Sequence, residues 1–168
     1  SNGCAAFIIS VVAIAVAFIV PFTLGISGTF IGSVIGGVAG NLAGQLTGMA
    51  LGVQDGINWK SVALSGISAG VTQGIGGTGT WIDGNSILDT GLKAMASNGI
   101  TQGIAVATGL QKSFSWTNVA AAGAGAAMGD WVGTQLKQNN AFASFGELGS
   151  KLARGTVSGF AAGATSAL

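Results

Sequence analysis

Residues 28–52 read GTFIGSVIGGVAGNLAGQLTGMALG, and glycine recurs at every fourth position. Four residues slightly exceed one helical turn. Gly28, Gly32, Gly36, Gly40, Gly44, Gly48 and Gly52 therefore trace a slowly winding groove along one helix face, where another backbone can come close. A glycine inside a water-exposed helix costs about 1 kcal/mol relative to alanine. Seven of them call for surroundings that enforce helicity: lipid, in which unpaired backbone groups are too costly, or tight packing in a protein interior.

The preceding residues 4–24, CAAFIISVVAIAVAFIVPFTL, are almost continuously apolar, and no Asp, Glu, Lys or Arg occurs from Ser1 to Gln54. A helix of that length rises about 31 Å, enough to cross the hydrocarbon core of a bilayer. A signal peptide would show a basic start and a shorter apolar stretch. The same pattern also suits a buried central helix of a soluble bundle. Pro21 and Gly25 predict a helix end or kink after which the chain returns, so residues 4–52 form a hydrophobic N-terminal hairpin.

Shifting the sequence by 57 positions lays GVQDGINWKSVA (52–63) over GLQKSFSWTNVA (109–120). Gly52, Gln54, Trp59, Val62 and Ala63 fall on Gly109, Gln111, Trp116, Val119 and Ala120. A period near 57 residues suits a helix-turn-helix unit. The four-residue glycine spacing returns at Gly66, Gly70 and Gly74, at Gly99 and Gly103, at Gly125, Gly129 and Gly133, and at Gly155, Gly159 and Gly163. The predicted fold is all-α, one helical module over 1–168 built from about six glycine-zippered helices: 4–24, 28–52, 58–76, 86–108, 115–136 and 142–167. The hairpin 4–52 is followed by repeated helical pairs over 53–111 and 112–168. Runs of alternating β-branched and aromatic residues are absent, as is tyrosine.

The chain carries six basic and five acidic side chains. A wide solvated surface is hard to make from so few charges, and no basic cluster exists to neutralise phosphates, which argues against nucleic acid as a partner. Charges gather near the expected joints and leave 61–82, 94–111 and 113–129 uncharged. Trp59 and Trp116 begin helices beside Lys60 and Lys112, a pairing enriched at the lipid headgroup level, although each could equally staple a turn to the next helix. Gln45, Gln73, Gln102, Thr72 and Thr101 interrupt the apolar faces and suit a wet lumen or bonds between helices. Asp130, inside the fifth expected helix, is a candidate lumen-lining or pairing residue, or an exposed side chain on a polar helix face.

Catalytic chemistry has little to work with. Histidine is absent, which removes imidazole metal sites and Ser-His or Cys-His nucleophile pairs, and Cys4 stands alone. The acids are scattered singly, and GIGGTGTW (74–81) lacks the GK[ST] and preceding strand of a phosphate loop. The expectation is no enzyme, no catalytic residue, no cofactor, no metal and no small-molecule substrate.

The GVQ/GLQ element with its tryptophan, KAMASNGITQGIAVATGLQ (93–111) and SKLARGTVSGFAAGATSAL (150–168) resemble the glycine- and alanine-rich helical regions of large secreted bacterial proteins, the haemagglutinin-like and Rhs or CdiA-like polymorphic toxins. The resemblance covers residues 28–168 and implies a secreted or cell-surface, membrane-associated setting and a role in delivering or forming a toxin. It carries over no catalytic residue. The expected function is a membrane-inserting module, pore-forming or translocating, whose partners are a lipid bilayer and further copies of itself or its parent polypeptide. The alternatives are a non-catalytic spacer of a large secreted protein and a helical subunit of an extracellular filament.

Overall fold

A computed structural model of the chain describes residues 3–138. Among the described residues the fold is all-helical: α1 (Gly3–Thr23), α2 (Phe30–Ala50), α3 (Trp59–Gly76), α4 (Ser86–Ala107) and α5 (Trp116–Gln138). The all-α expectation holds, with helix ends within two residues of those read from the sequence. The sixth expected helix, 142–167, with Gly155, Gly159 and Gly163, lies outside the described residues. The chain divides into two compact units, Ser1–Gln73 and Gly74–Leu168, so the boundary falls at the end of α3.

Polar caps start α2 to α5. The Thr29 hydroxyl accepts from Gly32 N at 2.9 Å, Asn58 Oδ1 from Ser61 N at 3.1 Å, Asn85 Oδ1 from Leu88 N at 3.0 Å, and Ser115 Oγ from Asn118 N at 3.2 Å. Each occupies an otherwise orphaned helix amide, an arrangement that contributes about 1 kcal/mol. Three helices end alike. After α1, Gly25 N donates to Phe22 O and Ile26 N to Pro21 O; after α2, Gly52 N donates to Met49 O and Val53 N to Gly48 O; after α4, Gly109 N donates to Val106 O and Leu110 N to Ala105 O. This paired closure needs a left-handed residue, and Gly25, Gly52 and Gly109 have φ of 73°, 77° and 80°.

In the first unit α1, α2 and α3 run antiparallel to their sequence neighbours. Along α2 the contacts pass from Ala17 near Gly36, through Ala13 near Gly40, to Ile9 near Gly44 and Gly48, while a second α2 face meets α3. There Val38 lies against Gly66, Val34 and Phe30 against Gly70, and Ser65 and Ala69 against Gly37. No large side chain is fully buried among the described residues. The buried part of α2 is Gly32, Gly36, Gly40, Gly44, Gln45 and Gly48. Close backbone approach thus takes the place that large apolar side chains hold in an ordinary soluble core.

In the second unit α4 and α5 are also antiparallel. Gly91 faces Gly123 O and Ala127, and Gly123 faces Met95. Ala105, Val119, Ala121, Ser97, Thr101 and Gln102 are buried.

Candidate functional site

Two features distinguish the surface and corners of this fold. One is an apolar exterior. Within α1 only Pro21 is buried, although this helix is long and apolar enough to cross a membrane. Phe7, Ile8, Ile19 and Phe22 of α1 are exposed, as are Phe30, Ile31, Leu46 and Met49 of α2. Large apolar groups face outward while glycine, serine, threonine and glutamine are buried, the reverse of the usual sorting in water.

The other feature is a carboxamide clasp at the α2–α3 corner. Gln45 Nε2 donates to Asn41 Oδ1 at 2.6 Å and to Asn58 O at 3.1 Å, while its Oε1 accepts from Gln54 Nε2 at 2.6 Å and from Asn58 N at 2.6 Å. Gln54 Nε2 also donates to Gly56 O. Both donors and both acceptor positions of a carboxamide are then used, which is what burial of so polar a group requires. The α4–α5 corner repeats the arrangement with every partner 57 positions on. Gln102 Nε2 donates to Asn98 Oδ1 at 2.6 Å and Ser115 O at 2.9 Å, and its Oε1 accepts from Gln111 Nε2 at 2.8 Å and Ser115 N at 2.7 Å. Gln111 Nε2 donates to Ser113 O. Gln45 and Gln102 are only 7% and 4% exposed. Packing follows the same offset: Val38 with Gly66 matches Met95 with Gly123, and Val34 with Gly70 matches Gly91 with Ala127.

The seven glycines of 28–52 divide into three roles. Gly28 and Gly52 lie outside α2, in turns with φ of 81° and 77°, because the chain bends there. Gly32 sits under the Thr29 cap, where a Cβ would collide with the Ile26 carbonyl. Gly36, Gly40, Gly44 and Gly48 face α1, and a Cβ on Gly36 or Gly40 would stand 2.5 Å from Ala17 O or 2.6 Å from Ala13 O. The backbone that approaches this groove is α1 of the same chain, so the groove is filled within the protomer.

Trp59 and Trp116 open α3 and α5 as expected and are exposed; the Trp116 ring lies 4.8 Å from that of Phe114. Asp130 Oδ2 accepts from Ser86 Oγ at 2.9 Å, tying α5 to the first residue of α4. Asp89 binds a longer stretch: its Oδ1 accepts from Trp81 N and Ile82 N at 2.6 and 2.9 Å, and its Oδ2 pairs with Lys93 Nζ at 2.8 Å. The Lys93 hydrogen bond above all, and then the backbone amides, hold this carboxyl at about 2, well below its ordinary value.

Among the described residues no three metal-ligating side chains come together. An open hollow of about 510 Å³ lies over Gln45, Gln54, Asp55, Asn58 and Ser61; of these, Gln45, Gln54 and Asn58 belong to the clasp. Sequence reasoning passed over Gln54, Gln111, Asn41 and Asn98 as bonding partners, though each member of these pairs lies 57 residues from the other. No protein-family model, curated protein or solved structure matches the chain.

Proposed function

We propose that this chain is a membrane-inserting helical module, with its first unit as the part that enters lipid. The observation that carries the reading is α1, a 21-residue apolar helix in which Pro21 alone is buried. A core helix of a soluble protein passes the same length and composition test, but it is mostly covered by its neighbours. Burying large apolar side chains is worth about 1.5–3 kcal/mol each, so an exterior rich in Phe, Ile and Leu is costly in water and favourable in hydrocarbon. The glycine spacing supports the same reading. Small residues let α1 and α2 approach closely, which is how helices associate where lipid tails are as apolar as the side chains.

The secreted setting and the link to a toxin rest on the resemblance of residues 28–168 to helical regions of polymorphic toxins, and a pore or translocation path formed by several copies is the activity that this setting favours. The recurring clasps favour a second description compatible with the first: the α2–α3 and α4–α5 hairpins are two copies of one helix-turn-helix unit of about 57 residues, glycine-zippered in the same manner.

The test is co-flotation and dye release, using the purified chain and vesicles of phosphatidylcholine with phosphatidylglycerol. The reading expects the chain to float with the vesicles and the trapped dye to escape. Gly40→Leu, which drives a large side chain into Ala13 and Ala17, should float but release little dye. A soluble monomer that leaves vesicles intact would overturn the proposal and favour a spacer.

A further inference from the structure

The first unit is polarised along its helices. Its charged residues, Asp55 and Lys60, both sit in or beside the α2–α3 turn, with exposed Trp59 between them. Residues 3–54 and 61–76 contain no charge. The opposite end is the α1–α2 turn, residues 24–29, together with the end of α3, where Gln73 Nε2 donates to Gly28 O at 2.7 Å and Gln73 Oε1 accepts from Ser33 Oγ at 2.8 Å. Around that turn Phe22, Leu24, Phe30 and Ile31 are each 60–65% exposed.

Much of the backbone at this end is hydrogen-bonded within the turn. Leu24 N donates to Val20 O, Gly25 N to Phe22 O, Ile26 N to Pro21 O and Thr29 N to Ile26 O. The Thr29 hydroxyl donates to Ile26 O and accepts from Gly32 N. A turn exposed to hydrocarbon is costly through its unpaired amides and carbonyls, and here most of them already have partners inside the protein. The α2–α3 turn differs in chemistry. It carries the charges and a tryptophan, the side chains that favour the headgroup layer.

We infer that the unit enters a bilayer tip first, led by Phe22, Leu24, Phe30 and Ile31 of the α1–α2 end, while Asp55, Trp59 and Lys60 stay at the headgroups on the side of approach. This orientation rests on the membrane-inserting reading above and adds its direction. No charge of the unit has to cross, because both lie at the trailing end.

The experiment places one fluorophore at either end of the full chain. In a Cys4→Ser background, Leu24→Cys or Gly56→Cys is labelled with a polarity-sensitive dye; Leu24 is exposed and Gly56 has open space around it, so both positions accept the change. The labelled chains are added to phosphatidylcholine and phosphatidylglycerol vesicles, with a lipid-borne nitroxide quencher or with iodide outside. Dye at 24 should be quenched by the nitroxide and not by iodide, and dye at 56 by iodide and not by the nitroxide. A second pair checks the cause: Leu24→Asp with Phe30→Asp should lower the floated fraction about tenfold or more, while Gly56→Asp leaves it unchanged. Vesicles that float the chain with both labels behaving alike, or with the pattern reversed, overturn the direction and leave the membrane reading standing. A chain that does not float at all overturns both.

Discussion

Replacing Gly40 with alanine adds one methyl group at a place where the fold has no room for it. The new Cβ would stand 2.6 Å from the carbonyl oxygen of Ala13 and 2.8 Å from Ala17 Cβ. Ordinary contact begins near 3.4 Å, so α1 must retreat by roughly 0.8 Å along this line. The opposing atoms are a backbone carbonyl oxygen and a rigid methyl, neither of which can swing aside. Overpacking of this kind costs about 1–3 kcal/mol. Alanine returns about 1 kcal/mol of helix propensity, leaving a net loss of up to about 2 kcal/mol. Gly44 supplies an internal comparison, because its Cβ would meet Ala13 Cβ at 3.2 Å and Ile9 Cγ2 at 3.5 Å, a contact that slight adjustment relieves; Gly44→Ala should lie near zero. Gly103, in the interior of α4 with nothing within 4 Å, should be stabilised by up to about 1 kcal/mol on the same substitution. Denaturant unfolding followed by circular dichroism, in mild detergent for all three variants, gives the order directly. If Gly40→Ala stabilises the chain as much as Gly103→Ala does, α1 does not lie in the α2 groove and the packing argument fails.

Two further outcomes probe other parts of the fold. Gln102→Leu removes the centre of the α4–α5 clasp and leaves the half-buried Ser115 N–H without its acceptor, at about 1–3 kcal/mol, while Ser115 O keeps its bond from Val119 N. A loss of about 1–3 kcal/mol and faster hydrogen exchange at Ser115 N are expected, and a loss well below 1 kcal/mol would show that the clasp is not closed. The Asp89 carboxyl is held at about 2 by Lys93 and the amides of Ile82 and Trp81. Since its folded value lies below its ordinary one of about 3.9, its contribution is complete above about pH 4 and is lost as the pH falls through about 2. Helical signal from α4 and Trp81 fluorescence should change over that interval in the native chain and not in Asp89→Asn; identical acid profiles would exclude this anchor.

Much of the helical outline was legible because its signals are local. Pro21 and Gly25 mark the end of α1, and Trp59, Ser86 and Trp116 open helices directly after Asn58, Asn85 and Ser115. Glycine spacing was a weaker guide, since a glycine every four residues serves equally a groove and a left-handed helix end. Gly52 and Gly109 carry their own sign, an apolar residue immediately after the glycine, Val53 and Leu110, which the periodic count overlooks. The fate of Gln45 and Gln102 was harder to read. An isolated glutamine on an apolar face suits a lumen, a neighbour helix or a subunit contact, and only its recurrence with Asn41 or Asn98 and with Gln54 or Gln111 points to a corner of its own hairpin. That the α2 groove would be filled by α1 depends on which of several apolar helices arrives there, and sequence periodicity does not hold that information.

The clasps bear on how the chain comes to be folded. Each is closed between residues at most 13 positions apart, as in the bond from Gln45 to Asn58 O. Short-range closure forfeits little chain entropy and is reached quickly, so contact order at these corners is low. Each hairpin can therefore regain its corner without waiting for the other.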